Sequence, residues 1–166
     1  GRCRLNDFAP HAAPSASRVD EPVGSAGPAA AAHPPSAPCP CGHAARYAEC
    51  CGRWHAGPLQ FQATDAEALM RSRYSAYVLR LEPYLLRTWH PRTRPASITF
   101  EPGLRWLGLE VRRHAVLDAH HAQVEFVARS KLGGRASRLH ETSRFERTPE
   151  GWLYVDGDLH SQHRSG

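Results

Sequence analysis

Four cysteines of this chain fall within thirteen residues, in the run Cys39-Pro-Cys-Gly-His-Ala-Ala-Arg-Tyr-Ala-Glu-Cys-Cys51. A segment this short holds too little apolar surface for a core of its own, so whatever satisfies the sulfurs decides whether it folds. Disulfides are one answer and a metal is the other. Pairing Cys39 with Cys41, or Cys50 with Cys51, closes very small strained rings, because bridged Cα atoms prefer ~5.5–6 Å. Cross-pairing the two clusters suits a secreted protein, and the first thirty residues show no basic segment followed by an apolar signal core. Four thiolates match a tetrahedral Zn²⁺ at ~2.3 Å per sulfur, with no position left for a substrate. The spacing therefore favours structural zinc held by Cys39, Cys41, Cys50 and Cys51. Thiolate ligands in turn imply a reduced, cytoplasmic setting. His43 and His55 are nearby alternative ligands but surplus to a complete shell. Cys3 stands apart and reads as a free thiol.

The rest of the chain divides by composition. Residues 1–38 are mostly Ala, Pro, Ser and Gly without period, too poor in apolar surface to offset ordering, and are expected to be a disordered arm. The knuckle spans 39–57, a domain is expected over 60–158, and 159–166 reads as a flexible tail. The net charge of +5 comes from 21 basic residues, all arginine except Lys131. That balance permits phosphate contacts without demanding them. No apolar run approaches the ~20 residues of a membrane-spanning helix.

Thr64 and Glu67 form a capping-box pattern that starts a helix at Asp65. Ala66, Leu69, Met70, Tyr74, Tyr77, Val78 and Leu81 follow at three- and four-residue steps, with Arg71, Arg73 and Arg80 mainly off this stripe. Glu82-Pro83 opens a second helix through Trp89. The period then changes to two. Short strands are expected at Ile98–Phe100 and Arg105–Arg112, then at 122–130, 136–147 and Trp152–Asp156, with turns at Asp118–His121, Gly133-Gly134 and Pro149–Gly151. Helices followed by an antiparallel meander make an α+β fold, with helices packed on one sheet face.

Cys39-x-Cys41, eight residues, then Cys50-Cys51 resembles the SEC-C motif, with Tyr47 at the motif's aromatic position. Further residues carry a wider likeness: Ala66-Glu-Ala-Leu-Met-Arg-Ser-Arg-Tyr-Ser-Ala-Tyr77, Thr88-Trp-His-Pro91, Trp106-Leu-Gly-Leu109, Val124-Glu-Phe-Val-Ala-Arg129, Leu139-His-Glu-Thr-Ser-Arg-Phe145 and Trp152-Leu-Tyr-Val-Asp-Gly157. Together they make 39–158 resemble the bacterial YchJ family, which joins a SEC-C zinc knuckle to a cone-shaped domain like nuclear transport factor 2. The resemblance implies that fold and metal site rather than a reaction. It also makes a homodimer through the open sheet face compatible with the chain. SEC-C knuckles often carry Ser-Gly-Lys-Lys where this chain has His43-Ala-Ala-Arg46, so a partner surface built on those lysines is not carried over.

Cone folds often enclose a pocket, so acid–base candidates matter. Alternation puts Glu141 on one face with Leu139, Ser143 and Phe145. If that face is the inner one, desolvation raises its pKa and suits it to proton transfer. The plainer alternative is an ion pair with Arg71 or Arg73. His90 is the second candidate, with Tyr74 or Tyr77 as donors; its plainer role is to cap a helix C-terminus. His114, His120, His121 and His140 follow no metal-ligand spacing. Phosphate loops, nucleophile elbows and nucleotide fingerprints are missing.

The first functional expectation is a zinc-binding adaptor whose knuckle meets a protein partner, with chaperone, nascent-chain or ribosomal machinery as candidates. On this reading Cys50→Ser frees the zinc and unfolds the knuckle while the domain keeps its sheet. The alternative is a small-molecule isomerase, lyase or hydrolase using Glu141 and His90. Nucleic-acid binding would need Arg71, Arg73, Arg80, Arg92, Arg94 and Arg105 gathered on one face.

Overall fold

The computed structural model describes residues 33–160. Cys3, the arm up to residue 32 and the tail from 161 lie outside them. A one-turn 3₁₀ helix, Tyr47–Glu49, and the short helix α1, Gly52–His55, form the knuckle. Two longer helices follow, α2 at Ala66–Leu79 and α3 at Glu82–Arg87. Four strands then run β1 Arg105–Asp118, β2 His121–Leu132, β3 Arg135–Thr148 and β4 Gly151–Leu159. They form one antiparallel sheet in the order β1-β2-β3-β4. Register shifts at three points of the β1–β2 ladder bend this edge, as bulges do.

The alternation read from β3 holds. Leu139, Glu141, Ser143 and Phe145 are buried, and with Val124, Phe126, Ala128 and Tyr154 they face Leu69, Met70, Tyr74 and Tyr77 of α2. Edge-to-face contacts between Tyr74 and Trp106, 5.8 Å between centroids, and between Phe145 and Tyr154, also 5.8 Å, fix the rings in this layer.

The single-stripe reading of α2 proved too narrow. Ser72, Arg73 and Ser75 are as buried as the apolar positions, because the sheet covers one side of α2 and the knuckle covers another. The helix also starts one residue later than expected. Asp65 is the N-cap, its carboxylate accepting from Ala68 N–H at 2.8 Å, while Glu67 turns to Arg71 at 2.9 Å instead of back to the cap. α3 stops at Arg87, short of Trp89, because the next residues bond to β4: Tyr154 N–H donates to Thr88 O and His90 N–H to Tyr154 O, each at 2.8 Å. Ile98–Phe100 is not a strand. Ile98 N–H donates to the Glu82 carboxylate at 2.8 Å, so the segment is held by a side chain rather than a ladder.

Two boundaries also move. Residues 33–38, assigned to the arm by composition, bond to the knuckle: Tyr47 N–H donates to Ala37 O and Ala48 N–H to Pro35 O. Leu159, assigned to the tail, ends β4.

Gly157 lies where β4 passes the buried Glu141. A Cβ there would overlap the Glu141 carboxylate and sit 3.0 Å from Thr142 O. Gly157→Ala should therefore lower stability by about 1–3 kcal/mol through overpacking; a denaturant midpoint equal to wild type would show that the strand yields freely.

Candidate metal centre

The knuckle is shaped by a backbone that doubles back between its cysteine pairs. Cys39 N–H donates to Ala45 O at 3.0 Å and Gly42 N–H to Cys39 O at 3.3 Å, while Pro38 and Arg46 form an antiparallel bridge. The 3₁₀ turn then delivers Cys50, whose N–H reaches Tyr47 O at 3.0 Å, and Cys51 caps α1. Gly52 must be glycine for packing reasons, since a Cβ would stand 2.7 Å from Tyr47 O and 3.1 Å from its ring.

This folding buries all four cysteines as free thiols, with sulfurs within 4.8 Å of one another and Cys41 3.7 Å from Cys50. A tetrahedron with ~2.3 Å metal–sulfur bonds has edges of ~3.8 Å, so the four sulfurs fit a zinc-sized ion. Hydrogen bonds among the sulfurs pull Cys39 and Cys50 down and push Cys41 and Cys51 up. Sulfurs that share protons in this way become four thiolates when a cation takes the protons' place.

Sequence reasoning missed the groups around the sulfurs. Arg71 Nη1 donates to Cys41 O at 3.0 Å and lies 4.0 Å from its sulfur. Ser75 Oγ is 3.7 Å from Cys39 Sγ. His55, read as a spectator, is a buried crosslink: Nε2 donates to Ser72 O at 2.8 Å, and Nδ1 accepts from the Tyr47 hydroxyl. Burial lowers its pKa and favours the neutral ring this geometry needs. His43 Nδ1 lies 3.9 Å from Cys50 Sγ on the exposed side. The motif's aromatic position at Tyr47 was the one legible signal, since its ring and hydroxyl tie the 3₁₀ turn to His55 of α1 within the knuckle.

Glu141 and His90 do not assemble into an acid–base pair. Glu141 is fully buried and accepts from Ser143 Oγ at 2.8 Å. Its field acts on Arg73, whereas Arg71 is turned to the knuckle. His90 is not a helix cap. Its Nδ1 accepts from Arg92 N–H at 3.1 Å and its Nε2 donates to Glu146 Oε1 at 3.2 Å. Strand alternation turns Glu146 to the face opposite Glu141. Tyr74 and Tyr77 pack on Trp106 of β1, whereas His90 sits beside β4 at the other sheet edge. Two clefts, of about 260 and 620 Å³, are lined by Tyr77, Phe100 and Trp106 and by Phe61, Arg147 and Trp152 respectively; Glu141 and His90 line neither. The six arginines do not form one face, because Arg73 is buried and Arg71 serves Cys41.

Comparison with known proteins agrees with this architecture. Residues 65–157 match the family described as "YchJ, middle NTF2-like domain". A UPF0225 protein of Bordetella parapertussis is 56% identical over 131 residues, covering 76% of this chain and 97% of that protein. One from Ralstonia nicotianae is 57% identical over 137 residues, covering 75% and 93%. The solution structure of a SEC-C motif containing protein from Rhodopseudomonas palustris superposes with a TM-score of 0.65 at 31% identity, covering 75% of this chain and 99% of that one. The crystal structure of another, from Psychrobacter arcticus, gives 0.63 at 28% identity, covering 78% and 86%. A cysteine knuckle seated on a cone domain, with the domain matched from the N-cap of α2 to Gly157, makes this chain a member of the YchJ family.

Proposed function

We propose that this chain is a zinc-binding adaptor, in which Cys39, Cys41, Cys50 and Cys51 hold a structural Zn²⁺ and the knuckle presents a surface to an acidic protein or ribosomal partner in the cytoplasm. The observation that carries this reading is the closed, buried sulfur cluster: four inward thiols leave no side from which a substrate reaches the ion. Bound there, zinc supplies folding energy and a fixed backbone shape rather than a reaction. The outward face offers His43, Arg46, Glu49 and Arg53. Arg53 is held in place, stacked 4.4 Å over Trp54 and donating to Cys50 O at 3.0 Å. A partner meeting Arg53 pays little side-chain ordering entropy. Chaperone, nascent-chain and ribosomal components are the candidate classes. The isomerase, lyase or hydrolase alternative lacks its assembled acid–base pair.

The test is crosslinking and ribosome co-sedimentation of wild type against Arg46→Glu/Arg53→Glu, whose cysteines are intact. The variant should bind metal normally and recover partner roughly five- to tenfold less, as two lost surface charge contacts allow. Recovery equal to wild type by both this variant and Cys51→Ser would place the contact elsewhere.

A further inference from the structure

The outer face of the sheet gathers a second set of donors, far from the knuckle in sequence. Glu125 stands on β2 and His140 on β3. His160 follows the last residue of β4, its N–H donating to His140 O at 2.9 Å. The register pairs Glu125 with Thr142 and Val127 with His140, so Glu125 and His140 are diagonal neighbours on one face. His140 Nε2 is 2.7 Å from Glu125 Oε2, and His160 Nε2 is 2.7 Å from Thr142 Oγ1. The two imidazoles lie stacked, 3.9 Å between centroids and 8° from parallel. One nitrogen from each histidine and one carboxylate oxygen all fall within 4.8 Å of one another. No linear spacing reveals this set, because the sheet alone brings it together.

We propose that Glu125, His140 and His160 bind a divalent ion of the Zn²⁺ type at an open site, completed by water. Two imidazoles and one carboxylate suit zinc and its transition-metal neighbours, and three protein ligands leave a fourth position free. The proton between His140 and Glu125 is the one the ion displaces. Bonds of ~2.0–2.2 Å to each, in a tetrahedral shell, would move those two atoms apart by roughly 0.6–0.9 Å. An ion lies near the plane of each imidazole it binds, so the stacked rings must splay. The two ends of the site are unequal in freedom. Glu125 and His140 belong to the central strands and are partly buried, whereas His160 is exposed beyond the end of β4 and swings without breaking a strand ladder. The surrounding charges leave Glu125 available. Arg144 on the same face is engaged by Asp156 at 2.6 Å and Asp158 at 2.7 Å. Arg112, which adds to the positive field at Glu125, is itself paired with Glu110 at 3.4 Å.

The experiment is a Zn²⁺ titration followed by calorimetry and by the imidazole C–H resonances, comparing wild type, His160→Ala, Glu125→Gln and Cys51→Ser. Wild type should take up a second equivalent that shifts the His140 and His160 signals. His160→Ala and Glu125→Gln should weaken that event by at least about tenfold, while leaving the tighter cysteine-dependent event intact. His160 is exposed, so its variant tests the site without testing the fold. Cys51→Ser should lose the tight event and keep the weaker one, which separates this site from the cysteine centre. Uptake that stops at one equivalent, or a second event unchanged in His160→Ala, would overturn the proposal.

Discussion

Cys51→Ser should abolish the tightly held equivalent of zinc and lower the unfolding midpoint of the whole domain by roughly 10 °C or more, about 2–3 kcal/mol for a domain of this size. The sequence alone suggests a gentler outcome, a knuckle that melts while its neighbour is untouched. The shared core argues otherwise. Cys39, Cys41, Cys50, Cys51 and Trp54 belong to the same buried cluster as Leu69, Met70, Tyr74 and Phe126. Losing the ion releases the segment that covers Ser72 and Ser75, and leaves Arg71 without the carbonyl of Cys41. α2 is then solvated along the side that carries Ser72 and Ser75, which the knuckle covers. The sheet should still form, because its register does not involve the knuckle, so far-ultraviolet dichroism at low temperature should resemble wild type. Metal content after exchange against a mild chelator, together with the dichroism melt, checks both parts. Retained zinc would break the four-cysteine assignment, and an unchanged midpoint would show that knuckle and domain fold separately.

The cysteine cluster was legible because its residues are local. Cys39 to Cys51 fit within one short segment, and adjacent cysteines favour few things besides a metal. The sheet was legible for a related reason: a period of two, interrupted at Gly133-Gly134 and Pro149–Gly151, specifies hairpins between neighbouring strands. What stayed hidden depended on a third element. Ser72 and Ser75 look like solvent positions until the knuckle is laid over them. Ile98–Phe100 looks like a strand until Glu82 takes its backbone donor. Arg73 lies between these cases, since an ion pair with Glu141 was one expectation for it, whereas its bonds to Leu85 O and Thr88 Oγ1 depend on the approach of α3.

Arg73→Met should cost about 3–5 kcal/mol, the range for removing one member of a buried charged network. The residue is 2% exposed; its guanidinium donates from Nη1 to Leu85 O at 2.8 Å and to Thr88 Oγ1 at 2.7 Å, and lies 5.1 Å from the Trp89 ring and 4.8 Å from the Tyr154 ring. One side chain thus joins α2 to α3, to the chain after it, and to β4. Burial pulls its pKa down, while the nearby tyrosines and Glu141 support the charged form. Methionine fills much of the volume but leaves Leu85 O without its arginine donor and Glu141 buried without the opposing field. Glu141→Gln, which removes the charge and keeps the shape, should also destabilise. If the two charges sustain each other, the double variant should lose less than the sum of the single losses, by at least about 1 kcal/mol. Urea titrations of the four proteins close this cycle. Strict additivity would mean that Ser143 and its neighbours satisfy Glu141 by themselves. Coupling would identify Glu141 as an internal strut, its carboxylate occupied in holding helix to sheet rather than poised to take a proton from a ligand.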